Sequence, residues 1–493
     1  MRLRNPPWLL LSDVGPIPGL NDPDMIVPVA DGFLSPEQMT DTQIGATPSF
    51  PTPAEAAESQ SQSQNLSKRR AEDPTPHLSY IRWLQRNQFP KSTIERFGSG
   101  YQDYLQAPLQ PLTDNLESIT YEVFEKDPIK YDWYEQGTAQ ALTDWVQQRK
   151  STSSVSGAVV VAVVGAGRGP LVTRALRASQ STGVPVEMYA VEKNPNAYVL
   201  LQRHNELNSL WGQSVTVVKS DMRSWKGPLL EDGTQGHVDI LISELLGSFG
   251  DNELSPECLD GVQHVLNPTN GLSIPSSYTA HLTPIAAPKL YSDILGRSIS
   301  DPAAFETPYV VMLHAIDYLS TVSPAADEAT AVSYAHHPSQ RPSYPAPPNQ
   351  PTSTTTTATA PALHSNDLLL PDVQTCWSFF HPLPPAILTQ SHLRRGGSAA
   401  GGGGGAVGGD GANEHNARFC QLTFRCQERG VCHGLGGYFE AVLYEGSGAG
   451  ARGKVELSTN PRTMEGKSGD MISWFPIFFP LKEIEKADKG SLF

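Results

Sequence analysis

The segment Val159-Val-Val-Ala-Val-Val164 constrains the fold of this chain more than any other. Six apolar residues in a row suit a strand buried on both faces of a parallel sheet, where neither face meets water. The turn Gly165-Ala-Gly-Arg-Gly169 follows at once, and Pro170 stands at a helix start, where its missing N–H costs nothing. Further strand-like runs come at Val186 to Val191, Val215 to Val218 and Val238 to Ser243, most of them separated by helical segments. This alternation predicts an α/β, doubly wound sheet over residues 107–275.

Glycines at 165, 167 and 169 let backbone approach a ligand closely, and the helix beyond them offers free N–H groups. Glu192 ends the second strand, 27 residues after Gly165. A carboxylate there can accept both hydroxyls of an adenosine ribose. A dinucleotide fingerprint requires G-x-G-x-x-G. Here Pro170 takes the place of the third glycine, which comes one residue early. A G-x-G-x-G turn with an acidic end to the second strand resembles the S-adenosylmethionine-dependent methyltransferases, whose cofactor has no pyrophosphate. Asp221-Met222 ends the third strand, where such enzymes contact adenine. A purely structural turn and a dinucleotide oxidoreductase are the alternatives.

The fourth strand runs into Ser243-Glu244-Leu-Leu-Gly-Ser248, followed by Asp251-Asn-Glu253-Leu254. Glu244 sits at the carboxyl end of a central strand, the ligand side of open α/β sheets. Glu253 comes nine residues later, a loop length that can fold back to place both carboxylates around one planar cation. A guanidinium presents five donors in a rigid fork and keeps its charge at neutral pH. Two carboxylates would hold it and draw its charge to one side, leaving the remaining terminal nitrogen freer to attack a sulfonium methyl. Taken singly, either glutamate reads equally well as a helix cap or a surface residue.

Past Pro275 the pattern changes to short β-like runs: Tyr278 to Leu282, Tyr309 to His314, Phe419 to Cys426, Tyr438 to Tyr444 and Ile472 to Phe479. They predict an all-β domain over residues 276–493. A Pro/Ser/Thr-rich insert at 323–371 and a Gly-rich one at 396–411 interrupt it, and neither buries enough apolar area to offset its ordering entropy. Before residue 107 come a strand at Trp8 to Leu11, a low-complexity stretch at 53–75 expected to be disordered, a basic cluster Lys68-Arg-Arg70 read as solvated, and helical spacing from His77 to Leu105. Gly and Pro make up 84 of 493 residues and only 39% are hydrophobic, so part of this length is not core.

A net charge of −15 disfavours nucleic acid and anionic membranes as partners. No apolar stretch approaches the roughly 18–20 residues of a membrane span. Cys420, Cys426 and Cys432 lack a CxxC pair, so no metal site is read there. The composition predicts an intracellular chain.

Five blocks together resemble the protein arginine methyltransferase 5 family, the type II enzymes that form symmetric dimethylarginine. They are Tyr121-Glu-Val-Phe-Glu-Lys-Asp-Pro-Ile-Lys-Tyr131, Gly165-Ala-Gly-Arg-Gly-Pro-Leu171, Val191-Glu-Lys-Asn-Pro-Asn196, Ser243-Glu-Leu-Leu-Gly-Ser-Phe249 and Asp251-Asn-Glu-Leu-Ser-Pro-Glu-Cys-Leu-Asp-Gly261. The resemblance implies a Rossmann-like S-adenosylmethionine methyltransferase domain followed by a β-barrel domain. It implies cofactor contacts from Tyr121, Lys130 and Glu192, from the turn of Gly165, Gly167 and Gly169, and from Asp221 and Met222 at the adenine. Glu244 and Glu253 match the family's paired glutamates, and Phe124 the aromatic that shapes the pocket in this type. Ser473, Trp474 and Phe475 match the substrate-side loop, with Trp474 stacking on the guanidinium; a core role for Phe124 or Trp474 is the plainer alternative.

The same resemblance implies Gly/Arg-rich substrates such as histone tails and spliceosomal Sm proteins, a chromatin role, a homo-oligomer, and cytoplasmic and nuclear residence. Departures are expected at both ends. The family's N-terminal TIM barrel, which docks a WD-repeat partner, is reduced here to a remnant over residues 1–106. The polar ending from Lys482 is expected to supply no further strand and to leave the Trp474 loop on an open edge. A catalytically inactive form that serves as a binding or scaffold protein is the rival reading.

Overall fold

The computed structural model describes residues 80–83, 86, 93–97, 104–312, 317–322, 372–384, 418–446 and 453–487, less positions 209, 213, 320, 427 and 428. The readings at Trp8 to Leu11, 53–75, Lys68 to Arg70, 323–371 and 396–411 lie outside the described residues, as does nearly all of the barrel remnant. Two compact units divide the chain, Met1–Lys91 and Ser92–Phe493, and every sheet below belongs to the second.

Five parallel strands form the first sheet: β1 (Val159–Val164), β2 (Val186–Glu192), β3 (Val215–Lys219), β4 (Ile240–Ser243) and β5 (Leu272–Ile274), in the order β3-β2-β1-β4-β5. β1 is central, flanked by β2 in the register Val164↔Val191 and by β4 in the register Val164↔Ser243. All six of its side chains are buried, which is why the run carries no polar residue. β4 starts two residues later than its apolar run, because the buried Asp239 carboxylate turns to accept the N–H of Val160 and of Ser153. The chain winds outward from β1 through β2 to β3, then crosses back to β4 on the other side of β1. That reversal opens a crevice at the carboxyl ends of β1 and β4.

Besides the helical residues 80–83, the chain before the sheet carries α1 (Thr93–Phe97), α2 (Ser118–Phe124) and α3 (Lys130–Gln147). α4 (Pro170–Thr182) and α5 (Pro195–Leu207) connect the first three strands, and each begins on a proline. The helical spacing read through Leu105 does not continue that far. Leu105 is extended and buried with Ile285, Leu290 and Phe478, and Gln106 bridges Val310. Its hydrophobic partners lie on the β domain, and tertiary packing overrides the local period.

A second, antiparallel sheet takes the order β10-β6-β12-β14-β7. Its strands are β6 (Ser277–Ala286), β7 (Tyr309–Val310), β10 (Gln374–Phe380), β12 (Gly430–Glu445) and β14 (Ile477–Ala487). Short strands β8 (Asp317–Tyr318) and β13 (Lys454–Ser458) pair with β6 and β12. The run Phe419 to Cys426 is strand only at β11 (Arg425–Cys426), paired with β9 (Thr321–Val322), and Phe419 is 91% exposed. The run Tyr309 to His314 shortens to β7 among the described residues. Residues 472–476 form a loop, and the strand starts only at Ile477.

The polar ending does pair: β14 continues to Ala487, opposite Gly430 on β12. Strand backbone needs only a partner edge, so alternating charge from Lys482 does not end it.

One hydrophobic core runs through both domains, from Val161 and Ile242 on the parallel sheet to Phe439, Leu443 and Leu457 on the antiparallel one. α3 packs against both. It buries Tyr134, Ala141, Leu142 and Trp145, and its Asp144 carboxylate accepts a hydrogen bond from Tyr444 at 2.9 Å.

Candidate active site

A cavity of about 480 Å³ opens at the carboxyl ends of β1 and β4. Every residue singled out from the sequence lines it except Gly169. Gly169 packs tightly: its φ is 97°, and a Cβ would lie 2.7 Å from the Trp211 ring. Gly167 has φ 56°, and a Cβ there would lie 3.0 Å from the Tyr121 ring, so glycine alone lets α2 close over the turn.

Glu192 fastens that turn. Its Oε2 accepts the N–H of Gly167 and its Oε1 the N–H of Asn194, both at 2.7 Å. Burial pushes its carboxyl up, and these two N–H groups pull it back. An ionised carboxylate has about four lone-pair sites, and the Lys193 N–H also bears on it, so it keeps capacity for a ligand hydroxyl. Asn194 was not singled out from the sequence. Its Nδ2 donates to the carbonyl of Leu116 and to the Tyr121 hydroxyl, at 2.9 and 3.3 Å, tying α2 to β2.

Asp221 and Met222 form the wall beyond β3. Burial pushes the Asp221 carboxyl up, but the Arg223 guanidinium holds it below the usual range through bonds of 3.0 and 2.8 Å. Asp221 is therefore anchored before any base reaches it.

Glu244 and Glu253 meet in the same cavity, as the loop between them folds back. Glu244 Oε2 lies 3.1 Å from Lys130 Nζ, and its Oε1 accepts the N–H of Leu246 at 3.3 Å. Burial pushes the Glu253 carboxyl well above the usual range, and the neighbouring charge of Glu244 pushes it further. Lys130 is fully buried. Burial pulls its ammonium down, but Glu244, Tyr131 and Asp127 raise it above the ordinary lysine range, so it stays charged.

Three aromatic rings face this ammonium: Trp474 at 4.8 Å, Tyr131 at 4.9 Å and Phe124 at 5.2 Å from their centroids. All lie within the roughly 6 Å of a cation–π contact. The cavity thus contains a cation slot with an acidic wall and an aromatic wall.

Trp474 does not stand on an open edge. Its indole N–H donates to the Leu246 carbonyl at 2.6 Å, and its ring meets Phe439 edge-on at 5.1 Å. Phe475 lies beside Phe97, with ring centroids 6.2 Å apart. Asp127 holds the loop, and sequence reading missed it. Its Oδ1 accepts the N–H groups of Ile129 and Lys130 at the start of α3, at 2.7 and 2.8 Å. Its Oδ2 accepts those of Ile472 and Ser473, at 2.9 and 2.6 Å. One buried carboxylate therefore fixes the lysine and the tryptophan together. An Asp just ahead of a helix start was the available signal.

Fold and site together define a class: an α/β nucleoside-cofactor domain whose crevice is completed by an acidic and aromatic slot for a second, cationic ligand. Residues 92–274 match the PRMT5 arginine-N-methyltransferase family, and residues 277–491 match the PRMT5 oligomerisation domain. The chain belongs to the protein arginine methyltransferase 5 family.

Protein arginine N-methyltransferase skb1 of Schizosaccharomyces pombe is 40% identical over 411 residues, 83% of this chain and 51% of that protein. Protein arginine N-methyltransferase 5 of Xenopus laevis is 38% identical over 416 residues, 83% of this chain and 49% of that one. The namesake from Oryza sativa subsp. indica is 40% identical over 412 residues, 83% of this chain and 48% of that protein. The chain spans about half the length of these relatives.

Proposed function

We propose that this chain is an S-adenosylmethionine-dependent protein-arginine methyltransferase that forms monomethyl- and symmetric dimethylarginine. The observation that carries the reading is the convergence of the Glu192-fastened glycine turn and the Glu244/Glu253 pair on one cavity. The residues fit the cofactor. Glu192 keeps acceptor capacity for a ribose hydroxyl, and Met222 offers an apolar wall for a base. When bound, S-adenosylmethionine supplies an electrophilic sulfonium methyl.

Glu244 and Glu253 accept N–H bonds from the substrate guanidinium and draw its positive charge toward themselves. Trp474 and Phe124 flank the slot and exclude water from it. With the cofactor bound, the remaining terminal nitrogen would be left free to take that methyl, and one N–H proton would then have to leave. Glu253 is the group suited to take it, since burial and Glu244 already raise its affinity for a proton. Orientation and charge placement supply most of the acceleration in such a site.

The substrates we infer are Gly/Arg-rich proteins, histone tails and Sm proteins among them, in cytoplasm and nucleus. The C-terminal domain would assemble with further copies, and a WD-repeat partner belongs to the same reading. Calorimetry with S-adenosylmethionine tests the cofactor half. Glu192→Gln should weaken binding about 5- to 150-fold, for roughly 1–3 kcal/mol of lost hydroxyl bonds. Unchanged affinity, or tight binding of NAD to the parent protein, would overturn the reading.

A further inference from the structure

We propose that Lys130 is an internal cation that closes the arginine slot, and that cofactor binding opens it by drawing the ammonium away. The inference rests on the methyltransferase reading above. A substrate guanidinium needs a carboxylate partner and the aromatic faces, and Lys130 already uses both. Its Nζ lies 3.1 Å from Glu244 Oε2 and within 5.2 Å of the centroids of Phe124, Tyr131 and Trp474. Two cations cannot share that volume, because like charges so close repel strongly where little water screens them.

The lysine is also well placed to leave. Its backbone is fixed, because its N–H is held by Asp127 Oδ1 at 2.8 Å, but four side-chain bonds remain to swing the ammonium. The cavity that holds the slot also holds the Gly165 turn and the start of α4. An amino-acid carboxylate seated at that turn would be a second anion for Lys130, exchanging a lysine–glutamate pair for a lysine–ligand pair. Glu244 and Glu253 are then left facing each other, and their mutual repulsion is relieved by an incoming guanidinium. Cofactor and arginine peptide should accordingly favour each other's binding by the same factor.

Two nucleosides separate this gate from simple occupancy of the cavity. S-adenosylhomocysteine carries the amino-acid carboxylate, and 5′-methylthioadenosine carries the same nucleoside without it. Binding of a Gly/Arg-rich peptide to the full chain would be measured alone and with each nucleoside at saturation. S-adenosylhomocysteine should tighten peptide binding at least tenfold, and 5′-methylthioadenosine should leave it unchanged. In Lys130→Met, of similar length and no charge, the peptide should bind equally well with and without S-adenosylhomocysteine. Equal tightening by the two nucleosides in the parent protein would overturn the gate, and needs no variant. Undiminished coupling in Lys130→Met would overturn it as well. If neither nucleoside binds, the cofactor reading itself fails and the gate falls with it.

Discussion

At the scale of single residues, several charges share one small volume. Glu244 is the acidic wall of the slot and the partner of Lys130. Glu244→Gln keeps the shape and removes the charge. Each charge-assisted bond lost to a cation is worth roughly 1.5–3 kcal/mol, so methyl transfer should fall between tenfold and over a hundredfold while S-adenosylmethionine still binds. Steady-state kinetics beside calorimetry checks both halves. Much of this was legible in the sequence. Glu192, Glu244 and Glu253 stand at strand ends or in a return loop, where α/β topology places ligands regardless of detail. Gly169 could not be told from its neighbours, because a glycine needed for packing and one needed for a ligand look alike. What distinguishes them is the Trp211 ring, a contact 42 residues away in the chain that no local pattern shows.

At the scale of elements, Asp127 joins the start of α3 to the Ile472–Phe475 loop through four N–H groups. Asp127→Ala removes them all. The Trp474 ring and the Lys130 ammonium should then lose their fixed relation, and a misplacement of about 1 Å can cost roughly a hundredfold in rate. We expect a fall in kcat larger than any rise in KM for peptide, with Asp127→Asn recovering part of it. The inner strands β1 and β4 were readable because a strand buried on both faces must be apolar along its length, whereas the short edge strand β5 was not read. The antiparallel strands were less readable. Where β14 starts depends on Asp127 holding residues 472 and 473 away from the sheet, and where it continues depends on the free edge of β12.

At the scale of the whole molecule, the two sheets meet over a continuous core, and titratable groups are trapped in the junction. His381 lies beside Asp260 on α6 (Ser255–Val262), with Nδ1 3.6 Å from Oδ1, and its Nε2 is 3.3 Å from the Tyr278 hydroxyl. Burial pushes its imidazole down to about 3 from an ordinary 6.5. The folded chain thus keeps it neutral where the unfolded chain takes a proton. Its contribution to stability is present above pH 6.5 and is lost progressively as pH falls toward 3. Asp251, pushed up to about 6 by burial, acts with the opposite sign between its ordinary 3.8 and that value. The informative comparison is therefore of variants. The drop in unfolding midpoint between pH 7 and pH 5 should be smaller in His381→Gln than in the parent, as differential scanning calorimetry would show. An equal drop in the two would remove His381 from the account.

The central claim is that one cavity brings a sulfonium methyl to an arginine held by two glutamates. The most direct measurement is transfer of labelled methyl from S-adenosylmethionine to a Gly/Arg-rich peptide by the full chain, with the products separated by mass spectrometry and chromatography. Parent protein and Glu244→Gln would be run side by side. The expected result is monomethyl- and symmetric dimethylarginine from the parent and at least a tenfold loss of both in the variant. Label on a residue other than arginine, or equal transfer by the two proteins, would contradict it.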